Sequence, residues 1–193
     1  MDQTTDTTKI VQLLESKSFL GQEFLTWLWY SIEENAGTFT LDAPPKGIPS
    51  EIELWIDDKI VLEATGTEAH MHSLKGGNPS ASLEATASLV AGKNVTEMKL
   101  GINVGDEKIY KLTLNHKDLS PKSVVLPKLT AQKGDLAETV SLQIESLNGL
   151  VSILDELYKN FIRARTLDSW DNEDLDGIRE WIGHRSKDEL TFH

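Results

Sequence analysis

The spacing of apolar positions along this chain alternates between a period near 3.6 and a period of two. Between Phe19 and Tyr30, Leu20, Phe24, Trp27 and Leu28 recur at steps of three and four, which predicts a helix with one apolar stripe. Leu25 and Trp29 fall on nearly the opposite side, beside a thin polar wedge of Gln22, Thr26 and Glu33. A helix apolar on two sides needs cover on two sides, from its own domain or from a partner. Ser18 is placed to cap its start and Gly37 to end it. Upstream, Thr8 to Glu15 reads as a short amphipathic helix carrying Ile10, Val11, Leu13 and Leu14.

After the loop Ala43 to Pro49, the period falls to two. Glu51 to Ile56 and Lys59 to Ala64, joined through Asp57-Asp58, predict a β-hairpin with Ile52, Leu54 and Ile56 on one face. Gly76-Gly77-Asn78-Pro79 punctuates the chain, and Ser80 to Ala91 then reads as a helix with Leu83, Ala87 and Val90 inward, closed by Gly92. Two further strands, Thr96 to Val104 and Lys108 to Asn115, join through Gly105-Asp106. Their alternation turns Met98, Leu100, Ile102, Tyr110, Leu112 and Leu114 inward, and Lys99 and Lys111 outward. Ser123 to Leu126 is a last short strand, ended by Pro127.

The helical period returns from Asp135 to Leu167 as one long helix. Ile144, Leu147, Val151, Leu154, Tyr158 and Phe161 step by three and four in a heptad-like seam, which Val140 and Leu136 extend N-terminally. Asp168 is placed to cap a last helix holding Trp170, Leu175, Ile178, Trp181 and Ile182, and the tail from Gly183 is polar and reads as loose. The fold class expected is α+β: one domain with an antiparallel sheet flanked by an N-terminal aromatic helix, a middle helix, a long C-terminal helix and a short last helix.

Composition narrows the chemistry. With no cysteine among 193 residues, disulfides and thiolate chemistry are excluded. The acidic N-terminus does not read as a leader, so a cytoplasmic location with no membrane partner is expected. The net charge of −12 argues against nucleic acid taken as a whole, but from Ser80 to Lys133 eight lysines outnumber five acids. No glycine-rich phosphate loop, G-x-S-x-G elbow or H-E-x-x-H helix occurs. His70 and His72 share a strand face but supply only two ligands. Glu97-Met98-Lys99, with Asp57 or Asp58 upstream, is the one pattern fit for Mg²⁺ and phosphodiester cleavage, and charges on a solvent face explain it as well. No catalytic residue, metal or cofactor is assigned.

The two ends of the chain resemble a known family. Phe19-Leu20-Gly21-x-Glu23-Phe24-Leu25-x-Trp27-Leu28, the later Leu157-Tyr158-x-x-Phe161-x-x-x-Arg165-x-x-Asp168-x-Trp170, and the closing Ile178-Arg179-x-Trp181-Ile182 look like the recombination-associated protein RdgC family. The likeness spans most of residues 10 to 183 and follows the C-terminal half of the longer, divergent members. It implies a non-enzymatic, sequence-independent DNA-binding protein that assembles as a ring-shaped dimer around duplex DNA and restrains RecA-dependent strand exchange. It also implies a protein partner supplying the N-terminal half.

Three readings follow. In the first, Lys93, Lys99, Lys108, Lys111, Lys117, Lys122 and Lys128 form a positive face that meets the phosphates of duplex DNA. In the second, the chain is a homo-oligomerisation or protein-interaction module without DNA binding, whose interface holds Leu25, Trp29, Ile144, Leu147, Val151 and Leu154. The third is the Mg²⁺-dependent nuclease built on Glu97.

Overall fold

The structure is a computed structural model that describes residues 17–64, 71–106, 108–128 and 136–190; the helix expected at Thr8–Glu15, and His70, lie outside these. Its elements run α1 (Lys17–Glu34), β1 (Thr38–Thr40), β2 (Glu51–Glu63), β3 (Met71–Lys75), α2 (Leu83–Val90), β4 (Asn94–Asn103), β5 (Ile109–Asn115), β6 (Lys122–Val125), α3 (Leu136–Thr166) and α4 (Leu175–Leu190). The six strands form one antiparallel sheet in the order β1-β2-β4-β5-β6, with β3 also pairing β2. The architecture is the expected α+β one. One sheet face carries Ile52, Leu54, Ile60, Leu62, Met98, Leu100, Ile102, Leu112 and Leu114, all buried beneath the helices.

The expected hairpin does not form. β2 is a single strand of 13 residues, and Asp57-Asp58 lies in an irregularity within it. Ile56 pairs with Leu100 and Ile60 with Met98, so four residues of β2 are spent against two of β4. Because the excess is even, Ile56 and Ile60 keep the same inward face. β1 and β3 then share the other edge of β2, one on each half.

Helix α1 crosses the sheet against β4 at its centre. Its close approach depends on Gly21, where a Cβ would lie 1.9 Å from the carbonyl oxygen of His116. Lys17 already belongs to α1, so Ser18 is inside the helix and not its cap. The helix is covered on both sides by its own domain. Phe24 and Trp27 pack on Phe161 of α3, with centroids 5.5 and 5.6 Å away, while Trp29 and Tyr30 pack on Trp181 of α4 at 5.3 and 5.8 Å. Leu25 and Trp29 are therefore fully buried core residues, which corrects their assignment to an oligomer interface.

Two helices differ from expectation in orientation or extent. In α2, capped by the Ser82 hydroxyl accepting from the Ala85 amide, Ala85, Thr86, Ser88 and Leu89 face inward, whereas Leu83 and Val90 are exposed. The last helix begins at Leu175, after a π-helical turn over Trp170–Asp174 whose N-cap is Ser169 and not Asp168, and the tail expected to be loose from Gly183 is helical through Leu190. Arg185 anchors it, donating to both oxygens of Glu33 and to the carbonyl of Ser80.

Candidate interaction surface

The outer sheet face binds its own lysines. Lys99 Nζ lies 2.9 Å from Asp58 and 3.2 Å from Asp57, and Lys111 Nζ lies 3.1 Å from Asp57. Lys59 pairs with Glu97, and Lys122 lies 3.3 Å from Asp118. Burial acts to raise the Asp57 carboxyl, but hydrogen bonds from Lys111 and Lys99 outweigh it and hold it below its ordinary value. The other four lysines are dispersed. Lys93 follows α2, Lys108 and Lys117 flank opposite ends of β5, and Lys128 lies beyond β6. The expected continuous positive face is thus broken up, because the β2 irregularity aims acids at the cations across the sheet.

The same pairs use up the nuclease pattern. Glu97 faces Lys59 rather than the two aspartates, and among the described residues no group of three His, Asp or Glu is placed to hold a metal ion. The Arg/Asp/Trp motif near the C-terminus is likewise engaged in packing. Arg165 lies over Trp170 at 5.3 Å and donates from Nε to Glu23 at 3.0 Å, which ties α3 to α1.

Helix α3 carries two apolar stripes. Leu150, Ile153, Leu157 and Phe161 are buried against the domain. The second stripe is Leu136, Val140, Ile144, Leu147 and Val151, and these remain 76, 44, 54, 40 and 55 % exposed. No residue from Leu136 to Gly149 is buried, a length of about 21 Å at the helical rise per residue. Of the six expected interface residues, Ile144, Leu147 and Val151 are thus free on the surface, and Leu154 is half-buried at the end of their row.

Leu154 opens into a cleft of about 500 Å³. One wall is Val151, Leu154 and Tyr158 of α3, another is Leu20 and Phe24 of α1, and the third is Leu114 with Leu119 and Pro121 of the β5–β6 connection. His116, Lys117, Asp118 and Asp155 complete the lining. The buried His116 is fixed by a 3.0 Å bond from Nδ1 to the carbonyl of Thr96. Leu119 has φ +51°, a left-handed conformation that costs a leucine about 1–2 kcal/mol. Nothing in the sequence pattern pointed to Leu119 or Pro121, since loop residues carry no period. Tyr158 and the pair Leu20 and Phe24 were legible only as core positions.

The fold and this surface define a helix-flanked antiparallel α+β protein with an uncovered apolar face on its longest helix. The chain matches no model of a known protein family and no curated protein. Among the described residues, no helix is long and apolar enough to cross a membrane.

Proposed function

We propose that the chain is a non-catalytic self-assembly module in which the exposed stripe of α3 docks on a second copy. The observation that carries this reading is the row from Leu136 to Val151, regular over four turns yet uncovered by the domain's own sheet. Apolar surface of this extent marks interaction sites on soluble proteins. Completing the burial of each half-exposed side chain contributes roughly 1 kcal/mol, and a two-fold contact buries the row twice, for ~10 kcal/mol gross. Set against about 4 kcal/mol of lost freedom, roughly 6 kcal/mol remains, which fits a dimer with a Kd of tens of micromolar.

Light scattering across a concentration series tests it. A dimer forming in the micromolar range is expected, with Leu147→Asp monomeric and its near-ultraviolet circular dichroism unchanged. A strict monomer at high micromolar concentration overturns the reading. The alternative, an RdgC-type DNA-associated protein, depended on a positive face that the carboxylate partners of Lys99, Lys111 and Lys122 interrupt. Random duplex at low salt is therefore expected to migrate unretarded in the presence of the protein.

A further inference from the structure

Resting on the assembly reading, we infer that the two copies pair antiparallel through α3, each inserting its N-terminal stripe into the other's cleft. An antiparallel sense and a register centred on Gly149 make the row complementary both to itself and to the cleft. With the two helices antiparallel and centred on Gly149, Leu147 meets Val151 of the second copy, Ile144 meets Leu154, and Val140 meets Tyr158. Leu147 and Val151 thus face each other within the stripe, Ile144 and Val140 face Leu154 and Tyr158 just beyond it, Leu136 falls level with Ile162, and the two-fold axis makes each contact twice.

The cleft sits where this register needs it. Val151 ends the stripe, the half-buried Leu154 and Tyr158 continue its line, and the three together form one wall of the cleft. Ile144 and Val140 of the second copy fall opposite them, over Leu20, Phe24 and Leu119. A parallel pair would set each exposed N-terminal stretch on its equal and leave both clefts open.

Charge agrees with the antiparallel sense. From Leu136 to Gly149, α3 carries Glu138 and Glu145 and no base, while the bases further on, Lys159, Arg163 and Arg165, already pair with Asp155 and Glu156, with Asp42 and with Glu23. Antiparallel pairing sets the two helix dipoles in opposition, whereas parallel pairing brings Glu138 and Glu145 of each copy onto their equals. The strained Leu119 backbone is also accounted for, because it supplies the wall against which the incoming side chains close.

The absence of cysteine permits a clean test on the full chain. Asn148→Cys and Ser141→Cys each place one thiol on the same exposed flank of the stripe. In the antiparallel register the two copies of position 148 lie about 3 Å apart along the axis and the two copies of position 141 about 24 Å apart. A short bis-maleimide should therefore link Asn148→Cys into a covalent dimer and leave Ser141→Cys unlinked. Leu119→Asp, which suits a left-handed backbone better than leucine, should weaken the dimer at least tenfold by charging the cleft. Pro121→Glu on the same wall serves if that variant does not fold.

Linking of both thiols or of neither, or full affinity in the cleft variants, overturns this arrangement. Assembly itself still stands if Leu147→Asp abolishes the dimer. A wild-type chain that remains monomeric overturns the arrangement and the assembly reading together.

Discussion

Glu33 holds together more of the molecule than any apolar side chain near it. Its Oε1 accepts from Trp29 Nε1 at 2.7 Å and its Oε2 from Trp181 Nε1 at 2.8 Å, and Arg185 donates to both oxygens. The Arg185 guanidinium also lies over Trp29 at 5.0 Å and over Trp181 at 5.4 Å. Removing the carboxylate strands two indole N–H groups and a mostly buried cation, so Glu33→Ala should cost about 3 kcal/mol in urea unfolding. Glu33→Gln should cost less, because it keeps an acceptor for one indole. Hydropathy counts Trp29 as apolar and so turned it outward, toward a partner. Its N–H decided otherwise, and the signal was available in the i, i+4 spacing of Trp29 and Glu33. Two glycines divide by the same reasoning about what a neighbour can yield. A Cβ at Gly21 meets the His116 backbone at 1.9 Å, whereas one at Gly101 meets the half-buried indole of Trp55 at 2.0 Å. The indole can rotate away and the backbone cannot. Gly21→Ala should therefore lower the thermal midpoint clearly more than Gly101→Ala.

Among the elements, β2 shows how one residue pair can signal two structures. Asp57-Asp58 between alternating runs has the composition of a tight turn, and of a break in a strand's register as well. The choice is made by β4, which pairs on both sides of the irregularity and so keeps β2 straight through it. That outcome sets Asp57 between Lys99 and Lys111 and gives the strand pair a pH dependence. The folded carboxyl titrates below its ordinary value, so its stabilisation is complete above the ordinary carboxylate range. It is lost as pH falls through the lowered value. With both lysines partly exposed, the effect is about 1 kcal/mol. Asp57→Asn should lose this amount at neutral pH and show a flatter acid limb in chemical unfolding followed against pH. Helix boundaries were easier to read: α3 runs from Leu136 to Thr166 where Asp135 to Leu167 was expected. A long amphipathic repeat leaves little room for tertiary context to shift its ends. What the repeat did not reveal was that α3 has two stripes, because Leu150, Ile153 and Leu157 lie one residue beside the heptad seam.

Taken whole, the molecule is anchored unevenly along α3. Its C-terminal half joins the aromatic core through Phe161, while its N-terminal half, Leu136 to Gly149, has no buried residue. As the extension of a helix anchored at its other end, tied to the sheet through the Ser146–Tyr110 hydrogen bond, this half is only marginally stable until further packing covers it. This links assembly to local stability in a measurable way. In dilute solution the amides of residues 136–149 should exchange far faster than those of residues 150–161, which open only with the core. As concentration rises through the dimerisation range, exchange in the first stretch should slow, while residues 150–161 change little. Mass action requires the slowing to have the same midpoint as the light-scattering transition, since one equilibrium governs both. Leu147→Asp should abolish the concentration dependence and leave the fast rate. If the wild-type stretch is instead protected equally at every concentration, the N-terminal half of α3 is stable on its own domain and needs no second copy to hold it.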